Sequence, residues 1–250
     1  VGMAKQGEID YIDNIGTDGA YHAQHKPYSD PRCGNYFLDL GAIFLLLPPP
    51  PARLLDLGVG TGWTSILFAQ RGYQVTGQDI APAMIELAHQ NKQKAGVSNV
   101  NFLVSDYESM TMPEQFDCAV FYDSLHHAED EQAALTAVYH SLKPGGICIT
   151  VEPGKDHHLS PETQYATKTY GVTEKEMHPG KIIACAKNAG FVGYRVIKRP
   201  HEKGVLFESS PKPFSERCIT FMGEIRQAFR KFCRTHNLLN VGNIVILYKR

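Results

Sequence analysis

Leu54-Leu55-Asp56-Leu57-Gly58-Val59-Gly60-Thr61-Gly62-Trp63 decides the fold. Residues 52–57 form a short apolar run that ends in three glycines, the pattern of a buried parallel strand that must turn sharply at its carboxyl end. A helical stretch follows over 63–70. In doubly wound sheets this strand edge is where ligands bind. A dinucleotide fingerprint needs GxGxxG, but the third position after Gly60 is Trp63, so the spacing is GxGxG. A bulky indole there opposes close approach of a pyrophosphate. The phosphate loop GxxxxGK[ST] is absent, since neither Gly154-Lys155 nor Gly180-Lys181 fits it.

The alternation continues on the carboxyl side. Residues 73–80 read as the next strand. Pro82 stands at the first position of a helix that places Met84, Leu87, Ala88 and Ala95 on one face and stops at Gly96. Residues 100–105 and 116–122 are two more strands. A helix over 131–142 ends at Lys143-Pro144-Gly145-Gly146, and 147–151 is a fifth strand. The βαβα order with short connections predicts an α/β protein with a doubly wound, mostly parallel sheet.

The flanks read differently. Residues 36–47 suit an amphipathic helix, followed by Pro48-Pro49-Pro50-Pro51 as a stiff spacer. Residues 153–177 lack apolar periodicity and read as a loop. A helix is expected over 179–188, strands over 194–197 and 243–248, and a helix over 215–236 whose Arg226, Arg230, Lys231 and Arg234 offer an anion site or a solvated face. Three parts result: an N-terminal lid and proline linker (1–51), a ligand-binding core (52–153), and cap elements with the last two strands (154–250).

Composition bounds the function. The 250 residues carry 25 Lys and Arg against 26 Asp and Glu, a formal charge of −1. That balance excludes a globally basic nucleic-acid binder. The longest apolar run, residues 40–47, is too short to span a bilayer, and residues 1–10 lack the apolar stretch of a signal peptide. Cys33, Cys118, Cys148, Cys185, Cys218 and Cys233 form no CxxC pair, which argues against a zinc knuckle or dithiol site and for a reducing, cytoplasmic setting. The oligomeric state is not legible.

Three signals follow the glycine turn. Asp79 ends the second strand and can accept hydrogen bonds from two ribose hydroxyls, or cap the helix at Pro82. Asp106 follows the third strand, placed for an exocyclic amine. Tyr122-Asp123-Ser124-Leu125-His126-His127 follows the fourth. Together LLDLGVGTGW (54–63), GQDIAP (77–82), VSDYESM (104–110), FDCAVFYDSLHH (116–127) and LKPGGICITVEP (142–153) resemble the class I S-adenosylmethionine-dependent methyltransferases, in that family's order and spacing.

The resemblance implies a Rossmann-like, seven-stranded sheet whose last strand runs antiparallel. S-adenosylmethionine would be the cofactor and S-adenosylhomocysteine the product. Asp56, Gly58, Gly60 and Gly62 are counted with the cofactor, the glycines under its methionine part. Asp79 would hold the ribose, Ile80 would pack on adenine, and Asp106 with Tyr107 would flank its amine. Tyr122 to Leu125 would face the sulfonium, and Tyr11, Tyr21 or Tyr28 would close over the site. Trp63 is expected to pack rather than touch the cofactor.

Catalytic candidates are His126 and His127, whose ordinary pKa of ~6.5 suits a general base, and Asp123, as base or metal ligand. A metal-dependent site would need further carboxylates, which the sequence does not show, so no metal is expected. His157-His158, His22 and His25 read as solvated. The acceptor is expected to be a small molecule, with a hydroxyl favoured. The (D/N)PP(Y/F) motif of adenine and glutamine N-methylation is absent, as is the Pro-Cys of cytosine-C5 enzymes. Residues 164–191 are similar to a segment of methyltransferases of sugar and glycan synthesis, which leans toward a sugar hydroxyl. Amine or carboxyl methylation, a cofactor-binding module without transfer, and a nicotinamide oxidoreductase are the alternatives.

Overall fold

The computed structural model describes residues 3–200 and 242–250. The expected helix over 215–236 and its cations lie outside the described residues. The strands are β1 (Arg53–Leu57), β2 (Gln74–Asp79), β3 (Val100–Val104), β4 (Phe116–Tyr122), β5 (Leu142–Glu152), β6 (Gly193–Lys198) and β7 (Asn243–Tyr248). They form one sheet in the order β3-β2-β1-β4-β5-β7-β6. The first five are parallel, and β7 runs antiparallel to both β5 and β6. The class I topology expected from the motifs is the observed one.

The helices are α1 (Met3–Asn14), α2 (Gly16–His25), α3 (Cys33–Leu46), α4 (Trp63–Arg71), α5 (Pro82–Ala95), α6 (Glu131–Ser141), α7 (Pro161–Tyr170) and α8 (Pro179–Ala189). Two cores flank the sheet. On one face α3, α4 and α5 pack Ile43, Phe68 and Ala88 against Leu54, Val75 and Val120. On the other, α6 and α8 pack Leu135, Val138 and Ile182 against Leu55, Phe121 and Val245. Alternate residues of β1 thus enter opposite cores, which is why 54–57 are apolar with one exception, Asp56.

Two sequence readings need correction. Residues 153–177 are not a plain loop. They hold a 3-10 turn (His157–Leu159) and α7. Ser160 caps α7 by accepting a hydrogen bond from the Thr163 N–H, Pro161 sits at its first position, and Gly171 ends it in the left-handed region. The helix was missed because Thr163 is its one buried residue, which leaves no apolar stripe to read. The fifth strand also begins five residues early. Leu142 pairs with Phe116, and the Lys143–Gly146 stretch forms an irregularity before Ile147 resumes pairing with Cys118. No described helix is long and apolar enough to cross a membrane.

Candidate active site

The carboxyl ends of β1, β2 and β4 open into a cavity of about 470 Å³, walled on the far side by α1, α2 and the segment after α7. The floor is the glycine turn. Gly58 (φ +67°) donates its N–H to the Gln78 carbonyl at 2.8 Å, and a Cβ there would lie 2.6 Å from Ser124 Cβ. Gly60 (φ +52°) donates to Asp79 Oδ2 at 2.8 Å, and a Cβ on it would meet nothing within 4 Å. Gly62 serves packing instead: a Cβ on it would come within 2.6 Å of Phe102 Cζ. It is not among the residues lining the cavity.

Asp56 is also away from the lining. It is buried, and its Oδ2 accepts hydrogen bonds from the hydroxyls of Thr64 (2.7 Å) and Ser65 (2.6 Å). It therefore anchors the start of α4 from inside. Burial pushes its pKa up to about 6, with those two hydroxyls pulling the other way.

Asp79 lies in the wall. Its second oxygen accepts the Ala81 N–H at 3.0 Å. The residue flanking α5 is Ala81, with no side-chain cap, so Asp79 fixes the loop ahead of the helix rather than capping it. Each carboxylate oxygen keeps a lone pair for a ligand. Burial raises its pKa, and the Ala81 and Gly60 N–H groups oppose the rise. Ile80 and Met84 supply apolar wall beside it. Asp106 and Tyr107 line the same end. Asp106 is bound to Lys5 of α1 at 2.5 Å, and Lys5 also reaches Glu108 at 3.1 Å. The Tyr107 hydroxyl donates to the Ser124 carbonyl at 3.1 Å.

The β4 end is built from distant pieces. Asp123, in the left-handed region at φ +46°, is clamped by Arg199 at 2.6 and 3.0 Å. Arg199 also donates to buried Asp39 at 2.6 and 3.0 Å, and so does the Tyr122 hydroxyl at 3.2 Å. Although burial raises the Asp123 pKa, Arg199 outweighs that and holds it below the usual carboxylate range. Asp123 is therefore an ionised, guanidinium-paired carboxylate, a weak base. Tyr122, Asp123 and Ser124 line the cavity. Leu125 does not: it is fully buried in the core under α6.

His126 is 4% exposed and off the lining. Its Nδ1 lies 2.7 Å from Glu152 and its Nε2 3.4 Å from Glu174. Burial alone would lower its pKa, but hydrogen bonds to those two carboxylates push it up to about 10. A histidine so buried and so paired has no free nitrogen for an acceptor's proton, which corrects its reading as a general base. Glu152, fully buried at the end of β5, also accepts the Leu125 N–H at 2.8 Å and so fixes the Leu125–His127 turn. His127 does reach the cavity. Its Nδ1 lies 2.6 Å from the Thr173 carbonyl. A carbonyl only accepts, so Nδ1 carries a proton, and the Glu8 carboxylate lies 3.4 Å from the same nitrogen.

Several residues here were not singled out in the sequence: Lys5, Glu8, Lys26, Asp39, Glu152, Glu174 and Arg199. Glu152 lies inside the quoted 142–153 stretch and Glu174 inside 164–191, where neither stood out, and the others sit in flanks or at a strand end without a motif. Lys26 lines the cavity 4.9 Å above the Tyr36 ring and 6.0 Å from Trp63, and burial lowers its pKa. Trp63 both packs, edge-on to Tyr36 and Tyr122, and lines the cavity. Of the lid tyrosines only Tyr11 reaches the cavity, and Tyr170 joins it. Tyr21 and Tyr28 are 60% and 74% exposed. His22 lines the cavity, while His25 stacks on Tyr21 at the surface. His157 pairs with Glu174 at 2.8 Å rather than standing free.

The sheet order and the glycine turn are those of the class I methyltransferase fold. Residues 55–150 match the family model described as "Methyltransferase domain". The demethylmenaquinone methyltransferase of Thermus thermophilus is 32% identical over 114 residues, 44% of this chain and 51% of that protein. The ubiquinone biosynthesis O-methyltransferase of Pseudomonas fluorescens is 36% identical over 96 residues, 38% of this chain and 41% of that one. The chain thus spans about half the length of the curated relatives it matches. Among solved structures, Haemonchus contortus phosphoethanolamine N-methyltransferase 2 with phosphomonomethylethanolamine and S-adenosylhomocysteine aligns over all of this chain and 60% of its own (TM-score 0.68, 21% identity). A possible histamine N-methyltransferase from Thermotoga maritima aligns over both full chains (TM-score 0.61, 20% identity). These likenesses establish the fold.

Proposed function

We propose that the protein transfers the methyl group of S-adenosylmethionine to an oxygen of a small molecule. The observation that carries this reading is one continuous cavity. It joins the glycine turn and Asp79 at one end to His127, Asp123 and Glu174 at the other. The residues fit the cofactor: open backbone at Gly60, an acid at Asp79, apolar Ile80 and Met84, and a second acid at Asp106. Gly58 and Gly60 would lie under the methionine part, Asp79 at the ribose, and Asp106 with Tyr107 at the adenine amine. Trp63 in the wall counts against a nicotinamide dinucleotide, whose pyrophosphate needs bare backbone there.

When bound, the cofactor would supply a methyl on a cationic sulfonium, whose C–S bond would break as the acceptor oxygen formed the new O–C bond in line, with neutral S-adenosylhomocysteine leaving. What the protein contributes is position: Tyr122 and Ser124 at the sheet edge, and Tyr11 and Tyr170 closing the far wall and excluding water. Of the three candidate bases, His126 is off the cavity and Asp123 is clamped by Arg199, whereas His127 lines the cavity, so His127 would accept the hydroxyl proton. The O-methyltransferase names among the relatives favour an oxygen acceptor. Residues 164–191 supply Tyr170, Val172 and Glu174 to the acceptor end, the segment whose sequence leaned toward sugar hydroxyls. Incubating the protein with methyl-labelled cofactor and separate pools of phenols, sugars, amines and carboxylic acids tests the reading. Label in a hydroxyl pool supports it, and label confined to the amines would replace it with N-methylation.

A further inference from the structure

The side chains around His126 make a cluster that methyl transfer by positioning does not require. One ligand atom from each of His126, His127 and Glu174 lies within 4.8 Å of the others. Both histidines are held through Nδ1: His126 against Glu152 at 2.7 Å, His127 against the Thr173 carbonyl at 2.6 Å. Proteins orient metal-binding histidines in this way, with one ring nitrogen tied to a carboxylate or carbonyl and the other left for the ion. The inner contact, His126 Nε2 to Glu174 at 3.4 Å, is long for a charge-assisted hydrogen bond. It matches the edge of about 3.3 Å between two ligands of a tetrahedral ion bonded at about 2.0–2.1 Å. His157 Nε2 lies 2.8 Å from that same Glu174 oxygen, Oε2, and holds the carboxylate in place.

We propose that His126, His127 and Glu174 bind a divalent first-row transition-metal ion at the acceptor end of the cavity. Two imidazoles and one carboxylate suit zinc, iron(II) or cobalt(II), not the all-oxygen shells of magnesium or calcium. The ion takes the place of the proton between His126 Nε2 and Glu174. His127 and Glu174 line the cavity whereas His126 stands behind them, so the ion's open positions face the cavity. An acceptor oxygen can coordinate there, and the ion then acts on the hydroxyl in place of the bare His127 nitrogen. The binding claim stands on the cluster alone and is independent of which group is methylated.

The test is direct binding to the full chain, without turnover. Chelator-stripped protein is titrated with cobalt(II), following visible absorption, and with zinc by calorimetry. The expected result is one equivalent with micromolar or tighter affinity and the intense visible bands of a four- or five-coordinate cobalt site. Affinity should fall at least hundredfold in His127→Ala and in Glu174→Gln, each checked for folding by circular dichroism. His25→Ala, at the exposed end of α2, should bind as the wild type does. No saturable site, or binding unchanged in both His127→Ala and Glu174→Gln, overturns the proposal. Should both variants unfold, protection of His127 from histidine-directed modification by zinc decides: protection supports the site and equal labelling overturns it.

Discussion

The two ends of the cavity are built by opposite means. At the β1–β2 end, residues 58–62 and 79–84 place the polar groups. Their contacts are backbone N–H bonds to Asp79, from Gly60 in the neighbouring motif and from Ala81 in its own. At the β4–β5 end, Asp39, Asp123, Glu152, Glu174 and Arg199 come together from across the chain as paired charges. The first end keeps its shape through backbone geometry and so asks little of side chains. The second keeps its shape only while every charge has its partner.

The sharpest break of that comparison is at Glu152. Glu152→Ala leaves a buried His126 without its main counter-charge and frees the N–H of Leu125. The expected loss is about 3–5 kcal/mol of stability by urea unfolding at pH 7. A loss under 1 kcal/mol would mean that the β4 end is not held by its charges.

Asp56 gives the next largest effect, as a pH dependence. The folded protein keeps its proton up to about pH 6, whereas the unfolded chain loses it near the ordinary 3.8. The folded state then binds more protons between those values, so this group's contribution to stability falls as pH rises through the 3.8–6 window. Asp56→Asn cannot ionise and keeps an oxygen for the Thr64 and Ser65 hydroxyls. Its stability relative to wild type should improve by about 2–3 kcal/mol from pH 4 to pH 7. A difference that does not change with pH would contradict the burial argument.

Asp79→Ala should lower affinity for S-adenosylmethionine more than tenfold, about 1.4 kcal/mol or more, through the loss of one or two charge-assisted hydrogen bonds. Unchanged affinity would remove Asp79 from the ribose. The smallest change is expected at Lys5, whose ion pairs with Asp106 and Glu108 are partly solvated. Lys5→Met should alter stability by less than about 1 kcal/mol.

The same contrast explains what the sequence reveals. The glycine turn, Pro82 and the apolar runs are local patterns, so the sheet and the glycine turn at its edge were legible. The Leu125-His126-His127 motif was visible, but which histidine faces the cavity depends on Glu152 and Glu174, 26 and 48 residues further on. Arg199 carried no motif, and its role exists only once β6 is laid beside β7. Asp56 stood inside the most telling motif yet bonds inward to Thr64 and Ser65. Spacing marked it as conspicuous without saying which way it points.

The central claim is that the cavity's glycine end holds S-adenosylmethionine. Calorimetric titration of the protein with S-adenosylmethionine, S-adenosylhomocysteine and NAD in parallel tests it most directly. The account predicts micromolar binding of the first two and none of the third. Binding of NAD alone would contradict it.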